Sequence, residues 1–531
     1  MSLETSIAQD TSDELTPSLA WGIVLALAIV VAAPLTYPGF LRTHEGFLPV
    51  FRAYELLASG QWLGWMPSLG TSGTAWQLDG RLPYWLAALG IRLGMTGTAA
   101  IRLTSAIALF LGVGGMFTWA RSRLSLAGAV VAAVAYGFTP WLVAMLYVRG
   151  ALGELWIWAL VPWLLSSLDG EQRSLRRVAT AGVIWVLLLW SQAGLGVLAI
   201  VSSVLAAVIS RRVAPLALAA SGVGLAVGVV GLLPWFARDG AGTQAFYDHF
   251  LYLFQLIMPT WGYGVSQPGW QDEISFQVGA VPLALALLSL VPASMVPSDG
   301  ARRSRDRGIA ATIVIALALL SLGVTAPLWR LVHGHEWLRF PWQVLTVAVP
   351  WLAWLAGSAI DRWPTLRARS YWAIVVALLV VTSYPYLTPR FTQVEPREAP
   401  LGIFGDIQIA LIDAGVSGDI RPGGTITVTL TWQALRPIDL DYTVFLHVAD
   451  EADQIVAQRD MQPGDGQSPT NTWAVGDVIE DVHPIPIPPE ASAVPHHLNM
   501  GLYDWRTGQR LPVGDTNFIR LNLPPRADSS S

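Results

Sequence analysis

The sequence predicts two parts: an α-helical polytopic membrane domain of about eleven spans, then an all-β, immunoglobulin-like sandwich. Three observations predict it. Of 531 residues, 53% are hydrophobic and only 13% charged, with 25 Trp and 49 Gly. That is far more apolar than a soluble chain, and it excludes a single water-soluble domain, a disordered chain and a fibrous repeat. Up to Arg390, 24 Arg face 18 acids; beyond it, 8 Arg face 19 acids. Near residue 402 the hydrophobic pattern changes from long apolar runs to strict alternation.

The first 18 residues are polar and acidic, without a basic leader region, and read as a cytoplasmic tail rather than a signal peptide. The membrane domain is expected over 19–388. Apolar stretches lie near 19–37, 99–120, 124–146, 151–168, 175–191, 193–210, 213–236, 279–297, 309–331, 341–360 and 371–387. The fifth and sixth meet at Ser191-Gln192-Ala193-Gly194 and read as a hairpin of two short spans. Five arginine clusters set the orientation: Arg121 with Arg123; Arg173, Arg176 and Arg177; Arg211 and Arg212; Arg302, Arg303, Arg305 and Arg307; Arg362, Arg367 and Arg369. With eleven spans and a cytoplasmic N-terminus, all five fall inside, as the positive-inside rule requires. The same parity makes 83–95 a helix lying on or dipping into the outer face. Outside lie the long connections 38–98 and 237–278, the turn 147–150, the connection 332–340 and everything beyond about 388. The expected location is therefore the inner (plasma) membrane, with the C-terminal domain extracytoplasmic.

After a linker at 389–401, residues 402–524 read as the sandwich, and 525–531 as a disordered tail. Thr425–Trp432, Tyr442–Val448, Ile455–Arg459, Val478–Ile485, His497–Tyr503 and Phe518–Leu523 alternate polar and apolar residues. Arg421-Pro422-Gly423-Gly424 and Gln462–Gly466 supply turns. The segment is long enough to fold alone. The chain has no Cys, and all 32 basic residues are Arg. Disulfides, thiolate metal sites, Cys nucleophiles, Schiff-base lysines and the phosphate-loop lysine are thereby excluded. Neither part has the charge balance of a nucleic-acid binder.

Several stretches resemble a bacterial and archaeal membrane family labelled by a "6-pyruvoyl-tetrahydropterin synthase-related" membrane domain, itself similar to GT-C glycosyltransferases. They are Arg52-Ala53-Tyr54-Glu55-Leu56 with Ser59-Gly60-Gln61-Trp62; Tyr147–Glu154 around Arg149-Gly150-Ala151; Pro259–Gly264 with Ser275–Gly279; and Leu338-Arg339-Phe340-Pro341-Trp342-Gln343. In the tail, Thr431–Leu435, Tyr442–Phe445 and Gly501–Asp504 resemble a sandwich appended to such proteins. The chain departs from the family pattern in four places. Thr43-His44-Glu45 stands where an Asp is usual, Gly64-Trp65 where Arg-Trp is frequent, Ser191-Gln192 where His-Asn is frequent, and Gln343 where Arg is commoner.

The resemblance implies a GT-C-like enzyme. It would move a sugar from a polyprenyl-phosphate-linked donor to an acceptor on the outer face, with membrane lipid as its other partner. A catalytically degenerate accessory subunit, held among partner membrane subunits, is the alternative. A transporter is disfavoured by the absence of an inverted repeat. Glu45 and Glu154 are the candidate catalytic acids, Glu45 as general base. His44, Arg52, Glu55, Arg149, Arg339 and Trp342 are the candidate substrate-binding residues. Arg149 suits a lipid phosphate, because a guanidinium is a two-pronged donor. A structural Arg149–Glu154 pair pinning two helices is the competing reading. His333, His335 and Glu336 leave a divalent metal ion open as a cofactor, against an interfacial polar cluster. Asp248-His249 and Asp272-Glu273 are either parts of a closing loop or solvated charges. Trp62, Trp65, Trp76, Trp85, Trp261 and Trp270 read first as an interfacial belt and second as sugar-stacking platforms.

Overall fold

The computed structural model describes residues 15–59, 80–168, 175–210, 243–292, 300–393, 396, 400–405, 408–491, 495–514 and 516–523. The span predicted at 213–236, Trp62, Trp65, Trp76, Arg173, Arg211, Arg212, and nearly all of the two tails lie outside them.

Among the described residues, helices occupy most of the predicted apolar stretches, and their starts follow from capping chemistry. Thr16, Thr96 and Ser125 each accept a hydrogen bond from the amide three residues on, at 3.2–3.3 Å. Among the described residues, four helical runs are long and apolar enough to cross a membrane: Pro17–Thr36, Gly97–Arg121, Leu126–Arg149 and Pro341–Arg362. Shorter apolar helices include Leu152–Leu168, Ala179–Ser191, Ala193–Ile209 and Ala280–Ser289. This is a polytopic membrane protein.

Small residues set how closely the helices approach. Leu126–Gly137 crosses Leu345–Arg362 at Gly128 and Gly357, where a Cβ on Gly357 would meet the Gly128 carbonyl at 2.3 Å. Gly112 and Gly115 of Gly97–Arg121 receive the rings of Trp158 and Trp163. The Trp163 indole N–H then donates to the Leu111 carbonyl at 2.8 Å. Apolar residues left exposed follow helical spacing, as in Leu103 and Ile107, Val201, Leu205 and Val208, and Ile374, Leu378 and Val381. Such stripes are what a lipid-facing surface requires.

Two predicted spans are broken. The 124–146 stretch ends its first helix at Gly137, because Pro140 has no N–H to continue the ladder. The chain then restarts at Pro140–Ala144 and closes in a single π turn, Met145–Arg149, ended by Gly150 at φ +69°. The 309–331 stretch is not one span: a helix runs Ala301–Leu320, and a separate short helix covers Ala326–Leu331. Between them the chain folds back, and the Trp329 indole N–H bonds the Leu320 carbonyl at 2.8 Å. The 38–98 connection contains helices Leu48–Ser59 and Leu82–Arg92.

The C-terminal part is an antiparallel sandwich. One sheet orders β3 (Gly402–Phe404), β4 (Ile409–Gly418), β5 (Thr425–Ala434) and β8 (Val478–Pro486). The other orders β10 (Gln509–Arg510), β9 (His497–Asp504), β6 (Tyr442–Ala449) and β7 (Ile455–Met461), with β11 (Ile519–Asn522) also on β9. Alternate residues Ile426, Val428, Leu430 and Trp432 meet Val444, Leu446, Val448, Leu498, Met500 and Leu502 in one core. Asp481 and His483 on β8 also point inward. The Asp481 carboxylate binds His483 Nε2 at 2.7 Å and accepts from the Trp432 indole at 3.2 Å.

The two parts are fastened together. A two-stranded ladder pairs β1 (Phe40–Leu41) with β2 (Phe391–Thr392). Ala410, Leu435 and Val475 of the sandwich belong to the core of the membrane part.

Candidate functional site

The site is assembled from the turn Thr43–Gly46 in the 38–98 connection. On one side the His44 and Glu45 amides donate to the Val148 and Arg149 carbonyls, at 2.9 and 3.2 Å. On the other side the Phe47 amide donates to Leu435 of the sandwich at 2.9 Å. Gly46, at φ +50°, is required there, since a Cβ would lie 1.8 Å from the Leu435 carbonyl oxygen. The turn is thus clamped between the π turn and the end of β5.

Glu45 projects into positive charge. Arg339 Nη1 reaches its Oε1 at 3.1 Å, and Arg436 Nη2 stands 3.9 Å from Oε2. Burial alone would raise its pKa. The guanidinium charges of Arg436, Arg339 and Arg52 outweigh burial and hold it down at about 2. Oε2 is buried and accepts no hydrogen bond. His44 is pushed the other way: burial lowers its pKa to about 4, against a hydrogen bond from Nε2 to the Tyr263 carbonyl at 3.0 Å. His44 is therefore a neutral donor at neutral pH.

Arg149 and Glu154 form a second, closed constellation. Arg149 ends the π turn, and Glu154 sits in the first turn of Leu152–Leu168. Both are buried. Both Arg149 terminal nitrogens donate to the Glu154 carboxylate, one of them at 2.9 Å. Gln343 Nε2 adds a bond at 2.5 Å and Thr346 Oγ1 one at 3.3 Å. The guanidinium lies 4.4 Å from the Trp342 ring and 5.7 Å from that of Trp141. Trp342 itself stacks on Phe340 at 4.7 Å. Glu154 is committed to four donors, which is the arrangement of a helix-pinning pair. Glu45 and Arg149 nonetheless adjoin through their backbones, so the 38–98 connection and the 147–150 turn meet.

Of the remaining candidates, buried Arg52 donates from Nη1 to the Tyr84 hydroxyl at 2.8 Å and adds to the field on Glu45. Glu55 is half-buried on the same helix, Leu48–Ser59. Asp272 ties its own connection together, accepting from Gln255, Ser266 and the Gln267 amide at 2.8–3.1 Å. His249 Nδ1 lies 2.9 Å from Ser266 Oγ, and the ring packs on Phe340 at 5.1 Å. Trp85 packs on Trp190 and Trp261 on Tyr386, while Trp270 is exposed.

His333, His335 and Glu336 do not gather as a ligand set. The His333 and His335 rings are 6.3 Å apart, and Glu336 is 4.0 Å from His335. Among the described residues no three His, Asp or Glu side chains gather as ligands. Glu45 faces guanidinium groups instead.

Sequence reading missed Arg436. It lies in the bend just beyond the end of β5 at Ala434, and nothing in its neighbourhood signals contact with residue 45. Thr346 was missed as well. Only its spacing of one helical turn from Trp342 in the Pro341–Arg362 run could have indicated it.

No protein-family model matches the chain, and no curated protein matches it. Among solved structures, ArnT from Cupriavidus metallidurans in the apo state aligns at 17% identity with a TM-score of 0.41. The alignment covers 69% of this chain and 64% of that one. The same protein bound to undecaprenyl phosphate aligns at 18% identity and a TM-score of 0.40, over the same shares. The arabinofuranosyltransferase AftD from Mycobacteria aligns at 17% identity and a TM-score of 0.46, over 72% of this chain and 29% of AftD. The chain thus spans less than two thirds of the length of these structural neighbours.

Proposed function

We propose that the protein is a GT-C-like membrane glycosyltransferase. It takes a sugar from a polyprenyl-phosphate-linked donor and passes it to an acceptor on the outer face of the inner membrane. The observation that carries the reading is the junction where Glu45 meets Arg339 and Arg436. A carboxylate held beside guanidinium groups is what transfer from a phosphate leaving group needs. The acid takes the acceptor proton, and the cations stabilise the departing phosphate. The ordered outer-face motifs around Arg149, Ser275 and Arg339 support the same reading.

The orientation belongs to this proposal. Two described groups of contacts support it. Arg362 and Arg367 bond the Val291 and Asp361 carbonyls, and the Ser125 amide donates to the Asp361 carboxylate at 2.9 Å, so the arginine-rich connections gather at one end. Glu45, Arg149, Arg339 and the sandwich gather at the other. The positive-inside rule puts the first end in the cytoplasm.

The test is transfer of labelled sugar from a polyprenyl-phosphate donor by the purified chain in lipid nanodiscs. Glu45→Gln should abolish transfer with the fold intact, and Arg339→Ala should raise the donor KM. Full transfer by Glu45→Gln would remove the base from Glu45. The closed Arg149–Glu154 pair favours the alternative reading, a degenerate accessory subunit. Stable co-purification with partner membrane subunits, together with no transfer by the wild type, would select it.

A further inference from the structure

Independently of the glycosyl-transfer reading, we infer that two fold-back segments, 250–258 and 323–332, lie inside the lipid leaflet as a shelf beside the candidate site. Their partner is the acyl chains of the bilayer. The sequence alone puts 250–258 in an outer connection, in water.

Both segments are inside out for a loop in water. In the first, the large side chains of Tyr252, Leu253, Phe254, Ile257 and Met258 are exposed, Leu253 by 69%. Gln255 is buried instead. Its Oε1 accepts from the Tyr252 amide at 2.8 Å, and its Nε2 donates to Asp272 at 2.9 Å. In the second, Val324, Leu328, Leu331 and Val332 are exposed, Leu331 by 76%. Here too the polar groups turn in. The Thr325 hydroxyl donates to the Leu322 carbonyl at 2.9 Å, and the buried Trp329 indole N–H bonds Leu320. The two segments adjoin: the Leu251 amide donates to the Ser321 carbonyl at 2.9 Å, and Phe246 packs on Trp329 at 5.4 Å. A contiguous exposed apolar patch of this kind marks contact with a membrane or a partner.

Three features select lipid. The patch continues the exposed apolar stripe of helix Ala301–Leu320, where Ile315 and Leu319 lie one turn apart. The backbone of the irregular segment is satisfied from within. The amides of Leu251, Tyr252, Gln255, Ile257 and Met258 each have a partner at 2.8–3.1 Å, which irregular chain at membrane depth requires. The rim is aromatic and basic. Exposed Trp270 packs on Phe254 at 6.4 Å, and the Arg330 guanidinium lies 5.5 Å from the Tyr247 ring. Such residues sit at headgroup level. Beyond Val332 the chain turns polar at His333, His335 and Glu336, which gives that cluster an interfacial place. The shelf reaches the candidate site, because His249 packs on Phe340 at 5.1 Å, next to Arg339. A lipid-borne substrate then meets Arg339 and Glu45 without leaving the leaflet surface.

The chain has no Cys, so one introduced thiol reports one position. Leu253→Cys and Leu331→Cys, each nitroxide-labelled in the full chain in lipid nanodiscs, are compared with two references. Leu205→Cys lies on an exposed helical stripe, and Ser417→Cys is exposed on β4 of the sandwich. The relaxing agents are oxygen, which partitions into lipid, and a water-soluble nickel chelate. Melting temperature is the fold control. Both shelf labels should respond to oxygen as the Leu205 label does, and should lose the nickel response of the Ser417 label. A nickel response equal to that at Ser417 overturns the shelf and leaves a loop in water. Shielding from both agents overturns lipid as the partner, and marks burial against a second copy or another subunit.

Discussion

Two acid–arginine sites lie side by side at one end of this molecule, and they are built to opposite rules. Arg149–Glu154 joins residues five apart in sequence. It is buried, roofed by Trp342, and completed by Gln343 and Thr346. Glu45 joins Arg339 and Arg436 from distant elements. It is 15% exposed and leaves one oxygen unsatisfied. A fully satisfied buried pair resists exchange, because removing one partner strands a charge. A loosely satisfied pair at an interface exchanges partners at little cost. The difference lies in how completely each carboxylate is satisfied, and residue type does not reveal it.

The largest effect that would break this contrast is at the closed pair. Arg149→Ala should destabilise the chain by about 3–5 kcal/mol, seen as a large fall in melting temperature in detergent. Glu45→Gln should cost far less, and equal losses would erase the distinction.

Acid should expose the open site next. His44 has a folded pKa of about 4, below its unfolded 6.5, so the unfolded state binds the proton first. Its contribution is complete above pH 6.5 and is lost as pH falls towards 4, by up to about 3 kcal/mol. Glu45 follows, its contribution present above pH 4.5 and lost as pH falls towards 2. Melting curves across this range should show Glu45→Gln removing the lower window and deepening the His44 window, because the Glu45 charge supports the His44 cation.

Gly46→Ala should cost about 1–2 kcal/mol for the left-handed backbone, before the clash with Leu435. Faster proteolysis within the 389–401 linker would report the loosened sandwich. The smallest effect is Arg339→Ala, below about 1 kcal/mol in stability because its guanidinium is half in solvent. A large loss there would make Arg339 a strut like Arg149.

Much of the fold was legible because hydropathy period and capping are local. Most of the described apolar stretches became helices, and Thr425, Tyr442, Ile455, Val478 and His497 each begin a strand where alternation predicted one. Strand β4 was missed, since Ile409-Ala410-Leu411-Ile412 is a continuous apolar run buried on both faces. The 309–331 stretch misled because Ser321-Leu322-Gly323 is apolar enough to pass as helix, while the chain there turns back on Trp329. In the candidate site, Arg149–Glu154 was legible from its spacing of five residues. Arg436 was not, because its role depends on how two separately folding parts dock.

The β1–β2 ladder gives the protein a calendar. Phe40 leaves the ribosome about 350 residues before Thr392, its partner, and Glu45 waits longer still for Arg436. Closing so long a loop has to follow placement of the intervening helices, because only they bring the two ends within reach. The site therefore stays unfinished until the membrane helices are placed, and it is completed by a segment of the C-terminal sandwich. A chain stalled or truncated before residue 436 would carry every membrane-borne residue of the site and still present Glu45 without its clamp.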